Sequence, residues 1–389
     1  MNATRIMRKN LLLAFILMTT GLFAQKARTS STPIHLEFQE ARKMESPKLS
    51  TLLKDIRYVA LETTDECLLS NAWDVVLTEK YIVYNDAQQC YVFDKATGKY
   101  LHKIGSRKDQ GPQGYVHPTS PLCIIGNEVL MLDGKKEYYK VYSLDNGKLL
   151  RKIPGEGPFK ETWTMYKVLP LKDSLLVQSP LNVEGKNEYR MNIRTLSGTN
   201  LKKYPSINNA KFDLSGYAMD TYEVDLYSYN DHVYFHECTS DTIYRINDQL
   251  ELEPSYVIGL GNMLPTLDEI RGNLKMEEGE FIIFGKMMET NDWLLLSNSL
   301  WTENHYLYNK KTGKLNYINA KESKGFTNDL NGYLPFWPAH SGYGKAKNEI
   351  CACIQAEEYL EGVETTGKNP LGKELNFDDN PVIVIGTLM

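Results

Sequence analysis

YVFDKATGKYLHKIG, residues 91 to 105, is an apolar stretch, a glycine turn and a second stretch, and the chain carries five versions of it. The others are YKVYSLDNGKLLRKIPG (139 to 155), YRMNIRTLSGTNLKKYPS (189 to 206), TIYRINDQLELEPSYVIG (242 to 259) and HYLYNKKTGKLNYINA (305 to 320). Their aromatic and aliphatic runs predict strands, because such side chains suit a pleated, packed surface. Gly98, Gly147, Gly198 and Gly313 stand where a tight hairpin needs positive φ, which glycine adopts without steric penalty. In the fourth version NDQL puts Asn247 and Asp248 at the turn, the next most tolerant residues there.

Spacing turns the repeat into an architecture. Gly98 to Gly147 is 49 residues, Gly147 to Gly198 is 51, Gly198 to Asp248 is 50 and Asp248 to Gly313 is 65. A period near 50 is the length of a β-propeller blade, a four-stranded antiparallel sheet that cannot bury both faces alone. Ahead of each hairpin lie two more strands, as in WDVVLTEKYIVYND (73 to 86) and VDLYSYNDHVYFHE (224 to 237), split by polar turns such as Thr78-Glu79 and Asn230-Asp231. Five copies span about 71 to 320, and YGKAKNEICACIQAEEYLEG (343 to 362) and NPVIVIGTL (380 to 388) begin a sixth. A ring left open exposes a sheet edge. The early strand IRYVALET (56 to 63) is therefore expected to pair with 380 to 388 and complete blade six. The expected fold class is all-β, a six-bladed propeller over residues 51 to 389, preceded by a loose polar leader over 25 to 50.

The first 24 residues read as an address. Arg5, Arg8 and Lys9 precede the apolar run Leu11 to Ala24, which is too short to span a bilayer and ends in a cleavable pattern. No later run is long and apolar enough to cross a membrane, so a periplasmic, cell-surface or secreted protein is expected. The full chain carries a net charge of -5 and no concentration of basic residues, which argues against a nucleic-acid partner. Six cysteines in a chain of 389 residues are sparse, and Cys351 and Cys353 are badly placed to bridge each other along a strand, so buried free thiols are expected.

LLKDIRYVALETT (52 to 64), KIGSRKDQGPQGY (103 to 115), KIPGEGPF (152 to 159) and DDNPVIVIGTL (378 to 388) carry a resemblance. In these stretches the chain resembles the secreted six-bladed β-propeller proteins of Bacteroidetes, related in fold to TolB-like and NHL-like propellers. The resemblance implies the same architecture and an association with polysaccharide utilisation. This sequence departs from the group's glycine-rich loop at Gln113 and Gly114.

Motifs for chemistry are few. Gly155-Glu156-Gly157-Pro158 has neither the flanking helix nor the following Lys-Ser/Thr of a phosphate cradle and reads as a turn between blades. His232 and His236 lie four apart on a strand, about 13 Å, too far to share one metal ion. No G-x-S-x-G elbow occurs. Asp74, Asp133, Glu223 and Asp225 stand near inner or second strands and read equally well as solvated turn acids. The remaining pointers are Arg107, Trp163, Trp301, Trp337, His340 and Tyr343, at junctions between copies, where exposed rings could stack on sugars or anchor a peptide; the alternative is that they fill gaps between blades. The expected function is a monomeric, non-catalytic binding or scaffold propeller for a glycan or protein partner, with no catalytic residue, metal ligand or cofactor assigned. The alternative is a hydrolase or lyase using channel-facing acids with calcium.

Overall fold

The computed structural model describes residues 32–86, 88–107, 111–115, 117–118, 122–132, 138–154, 166–172, 174–180, 189–205, 224–266, 281–298 and 304–389. The signal-like segment, Trp163, Trp301, Asp133, Glu223 and Gly155 to Pro158 lie outside them. Residues 34–389 form one compact unit whose described strands make six mainly antiparallel sheets and one short parallel pair, Ser106–Arg107 with Gly114–Tyr115.

Five blades follow the chain. Blade one is Asp74–Leu77, Tyr81–Asn85, Cys90–Asp94 and Tyr100–Lys103. Blade two has an inner strand in two pieces, His117–Pro118 and Ile124–Ile125, then Glu128–Leu132, Tyr138–Ser143 and Leu149–Pro154. Blade three is Tyr166–Leu171, Leu175–Pro180, Met191–Thr195 and Asn200–Tyr204. Blade four is Val224–Tyr229, His232–Glu237, Thr242–Ile246 and Leu252–Ile258, and blade five Phe284–Glu289, Trp293–Asn298, Asn304–Asn309 and Lys314–Asn319. Blade six joins the two ends of the unit: His340–Ser341, Glu349–Ile354 and Val382–Leu388 are completed by Leu53–Ala60. Val382 pairs with Ala60 and Thr387 with Asp55, so the ring closes by the predicted pairing.

The middle strands read as unbroken apolar runs because each blade is covered on both faces. Leu294 and Leu296 face blade four, whereas Trp293 and Leu295, on the other side of the same strand, face blade six. Six apolar clusters result, one at each interface between neighbouring blades. Truncating one such buried leucine to alanine costs about 2–5 kcal/mol.

The repeated glycine turn acts as a latch. Gly98, Gly147, Gly198 and Gly313 all have positive φ. A Cβ on Gly147 would lie 2.0 Å from Lys103 O, at the end of the preceding blade's outer strand, and one on Gly98 would lie 2.1 Å from Ala60 O. Gly147 O accepts from Gly105 N at 3.0 Å, and Gly98 O from Glu62 N at 2.9 Å. At the third turn Arg194 Nη2 donates to both Pro154 O (2.6 Å) and Gly198 O (2.8 Å). At the fourth, Tyr204 Oη donates to Leu250 O.

Two local expectations differ from the structure. In the fourth hairpin the positive φ belongs to Leu250, not to Asn247 or Asp248. The Asn247 side chain instead accepts from the Gln249 and Glu251 amides, folding a wider turn whose strained residue is the leucine. The leader is not loose from residue 34 on. Ile34–Leu36 adds a parallel fifth strand outside blade four, and Arg42–Lys43 does so outside blade five. Leu36 and Phe38 are buried in the cluster between those two blades, which is the apolar gain that ties the segment down.

Candidate functional site

Each inner strand begins at the same end of the channel. Asp74 is the first residue of its strand, Lys167 and Asp225 the second, Lys286 the third and His340 the first. Five blades therefore bring five polar side chains to one place, and hydrogen bonds together with one ion pair link all six. Lys167 Nζ lies 3.5 Å from Asp225 Oδ1, and Asp225 Oδ2 accepts from Met287 N at 2.8 Å. Lys286 Nζ lies 3.2 Å from His340 Nδ1, which is 2.9 Å from Asp74 Oδ1. Asp74 Oδ2 accepts from Leu122 N at 2.6 Å, reaching blade two.

A bulge supplies Lys286. Phe284 pairs with Asn298 and Lys286 with Ser297, so Gly285 is an extra residue in the strand. Bulges re-aim side chains, and here Phe284 and Met287 both stay in the core beside blade four while Lys286 turns to the channel.

Opposite signs meet around the ring. Burial pushes the Asp74 carboxyl up, but His340, Lys286 and the Leu122 amide outweigh it and hold it below the ordinary carboxylate range. Burial and Lys286 lower the His340 pKa against the pull of Asp74, so the imidazole is neutral at pH 7. Burial also lowers the Lys167 pKa, opposed by Asp225 and assisted by Lys286. His340 Nδ1 faces Asp74 Oδ1 on one side and the Lys286 Nζ and Val75 N donors on the other. It can donate to the first or accept from the others, not both at once. Behind the ring, His236 pairs across strands with Asp225, and its Nε2 lies 3.0 Å from Ser240 O. Burial takes its pKa down to about 4.

The other end of the channel is crossed by the connection between the first two strands of blade six. Tyr343 N donates to Leu77 O in blade one at 2.8 Å, and Tyr343 Oη accepts from Gly126 N in blade two at 3.2 Å. Lys345 pairs with Glu79 of blade one at 2.9 Å, and Lys347 with Asp231 of blade four at 3.2 Å. One short segment thus touches the turns of three other blades.

The sequence-selected residues do not gather. Of them His340 joins the ring. Tyr343 belongs to the crossing segment at the other end. Trp337 fills a gap between blades five and six: it stacks on His305 with centroids 3.9 Å apart, and its Nε1 donates to Ser297 Oγ at 2.9 Å. Arg107 lies in the connection between blades one and two, with Nη1 donating to Gln88 Oε1 at 2.8 Å. Trp163 and Trp301 lie outside the described residues. Asp74 and Asp225, which read equally well as channel acids and as turn acids, are ring members, and Lys167 and Lys286 were not singled out at all. The signal for Asp74, Lys167 and Asp225 lay in aligned copies: WDVVL, YKVLP and VDLYS each place one charged residue between apolar neighbours at the start of the inner strand.

None of the six cysteines is in a disulfide; five of them are buried and Cys353 partly so. Burial pushes the Cys67 and Cys353 thiols up to about 12, which leaves them unreactive near neutral pH. Among the described residues no helix is long and apolar enough to cross a membrane, and no group of three or more His, Cys, Asp or Glu is placed to hold a metal ion.

Solved structures are similar to this chain to differing degrees, and the first of them shares its fold. A protein of Bacteroides fragilis NCTC 9343, named for its inferred export, is 17% identical with a TM-score of 0.67, covering 92% of this chain and 99% of its own. A DUF4221 family member from Bacteroides vulgatus is 14% identical with a TM-score of 0.48, over 87% and 97% of the two chains. Virginiamycin B lyase from Staphylococcus aureus is 9% identical with a TM-score of 0.41, over 85% and 99%. At these identities the likeness concerns the fold alone. No curated protein matches the chain. A family described as a domain of unknown function, DUF4934, matches residues 34–387, from the first added edge strand to the closing strand of blade six, and the chain belongs to that family.

Proposed function

We propose that this chain is an exported, non-catalytic binding propeller that presents the charged end of its channel to a glycan or protein partner, in the setting of polysaccharide utilisation. The observation that carries the reading is the ring itself: side chains from five blades converge, and each acid is already held by protein donors. A carboxylate held below its ordinary range, as Asp74 is, makes a weak general base. Export rests on the apolar run after Arg5, Arg8 and Lys9 and accords with the inferred export of the Bacteroides fragilis structure. Kinship with TolB-like and NHL-like propellers and a monomeric state belong to the same proposal.

A hydrolase or lyase is the second reading, and one observation favours it: Asp74, Asp225 and His340 line one channel end, with His340 Nδ1 able to take or give a proton. Calcium does not fit the ring, because Lys167 and Lys286 bring ammonium groups to the same place as the two carboxylates. A panel of glycans and lactones scored for both binding and turnover, with and without chelator, separates the readings. Binding without turnover is expected. Turnover of any member overturns the non-catalytic reading, and its loss on chelation restores the metal.

A further inference from the structure

We propose that the charged end of the channel binds the terminal residue of a neutral glycan end-on, holding adjacent hydroxyls between Asp225 and the lysines Lys167 and Lys286. This inference rests on the glycan reading above and adds to it the ligand's charge, the group recognised and the direction of entry.

Charge comes first. Around the ring Lys167, Asp225, Lys286, neutral His340 and Asp74 alternate in sign and cancel, so neither an acidic nor a basic ligand gains a net attraction. A hydroxyl is the group that donates to a carboxylate while accepting from an ammonium, and neighbouring hydroxyls on a sugar ring repeat that demand. The Lys167–Asp225 separation of 3.5 Å exceeds ordinary hydrogen-bond length, so a hydroxyl set beside the pair can donate to the carboxylate and accept from the ammonium at the same time. Lys286 is carried on a bulge that turns it out of the strand's regular alternation and toward the same point. The side chains of Lys167 and Asp225 keep 15% and 10% exposure, enough for contact with one inserted residue rather than a long segment.

Direction follows from the crossing segment. Tyr343, Lys345 and Lys347 tie blade six to blades two, one and four at the far end of the channel, so a polysaccharide cannot thread through. An end can enter.

The test uses the full mature chain and calorimetric titration with neutral linear pentasaccharides of glucose, mannose, galactose and xylose, with a cyclic glucan lacking ends, and with a linear galacturonate oligomer. At least one neutral linear pentasaccharide is expected to bind, and the cyclic and acidic probes are not. Asp225→Asn and Lys286→Met should each weaken binding about tenfold or more, the loss of a hydrogen bond to a charged group. Lys345→Ala, at the closed end, should leave it unchanged. Because a ring variant can lose its fold, amine acetylation of Lys167 and Lys286 in the unaltered protein is a second readout, and the bound pentasaccharide should slow it. Equal binding of the cyclic glucan, preference for the galacturonate, or unslowed acetylation with a pentasaccharide bound overturns the inference while the glycan reading stands. Absence of binding by every sugar, including when a protein partner is captured instead, overturns both.

Discussion

His236, His305 and His340 are three imidazoles that the fold keeps neutral. Burial lowers all three pKa values, to about 4 for His236 and His305, with Lys286 adding to the effect at His340. The unfolded chain, whose histidines titrate near 6.5, takes up protons first as pH falls. Their contribution to stability is therefore complete above about pH 6.5 and is lost as pH drops toward 4. His236, only 3% exposed, can account for on the order of 3 kcal/mol of this loss. Melting temperature measured from pH 7.5 to 4.5 should hold down to about pH 6.5 and fall below it, and His305→Phe, which keeps the stack on Trp337, should flatten that fall; a flat profile in the parent protein refutes the argument. Glu289 is the second residue-scale prediction. It accepts from Tyr256 Oη (2.6 Å), Tyr227 Oη (3.0 Å) and Lys310 Nζ (2.6 Å) at the junction of blades four and five. Glu289→Ala strands a largely buried ammonium and two phenols, so a loss of about 3–5 kcal/mol is expected in a denaturant melt. A change below about 1 kcal/mol shows the network to be dispensable.

At the scale of the element, the hairpin glycines make two distinct demands. Gly147 and Gly313 share a positive φ, but only Gly147 presses on the preceding blade, since a Cβ on Gly313 meets nothing within 4 Å. Gly313→Ala should cost about 1–2 kcal/mol, the left-handed backbone penalty alone. Gly147→Ala carries the same penalty plus a collision with Lys103 O and should cost clearly more, read as the difference between the two melting temperatures. Equal shifts refute the latch. These glycines were readable in the sequence because a turn's steric need names its residue. So were the middle strands, whose apolar runs reflect burial on both faces. Leu250 was not, because the Asn247 side chain reshapes that turn from three residues away. Lys286 was not either, since a bulge depends on the partner strand and a lysine in GKMME looks like a solvated face. The meeting of the ring members was hidden because six blades must be assembled before their first residues become neighbours.

For the whole molecule, the decisive bond is the one between its two ends. Leu53–Ala60 pairs along its length with Val382–Leu388, and Ile383 and Ile385 are buried in the cluster between blades six and one. Removing residues 382–389 deletes the third strand of blade six and cuts Leu53–Ala60 off from Glu349–Ile354. Such a chain should lose cooperative thermal unfolding and elute as aggregate in size-exclusion chromatography; an unchanged melt with monomeric elution contradicts the role assigned to closure. The same pairing sets a timetable. The strand at Leu53 leaves the ribosome long before its partner at Val382, with blades one to five encoded between them. While the residues between them are made, that early strand lacks its partner, and long-range pairing of this kind is slow and leaves a sticky edge exposed. A stalled or prematurely terminated chain is thus more than an incomplete product: it is a sheet with a vacancy, available to any other unfinished copy nearby.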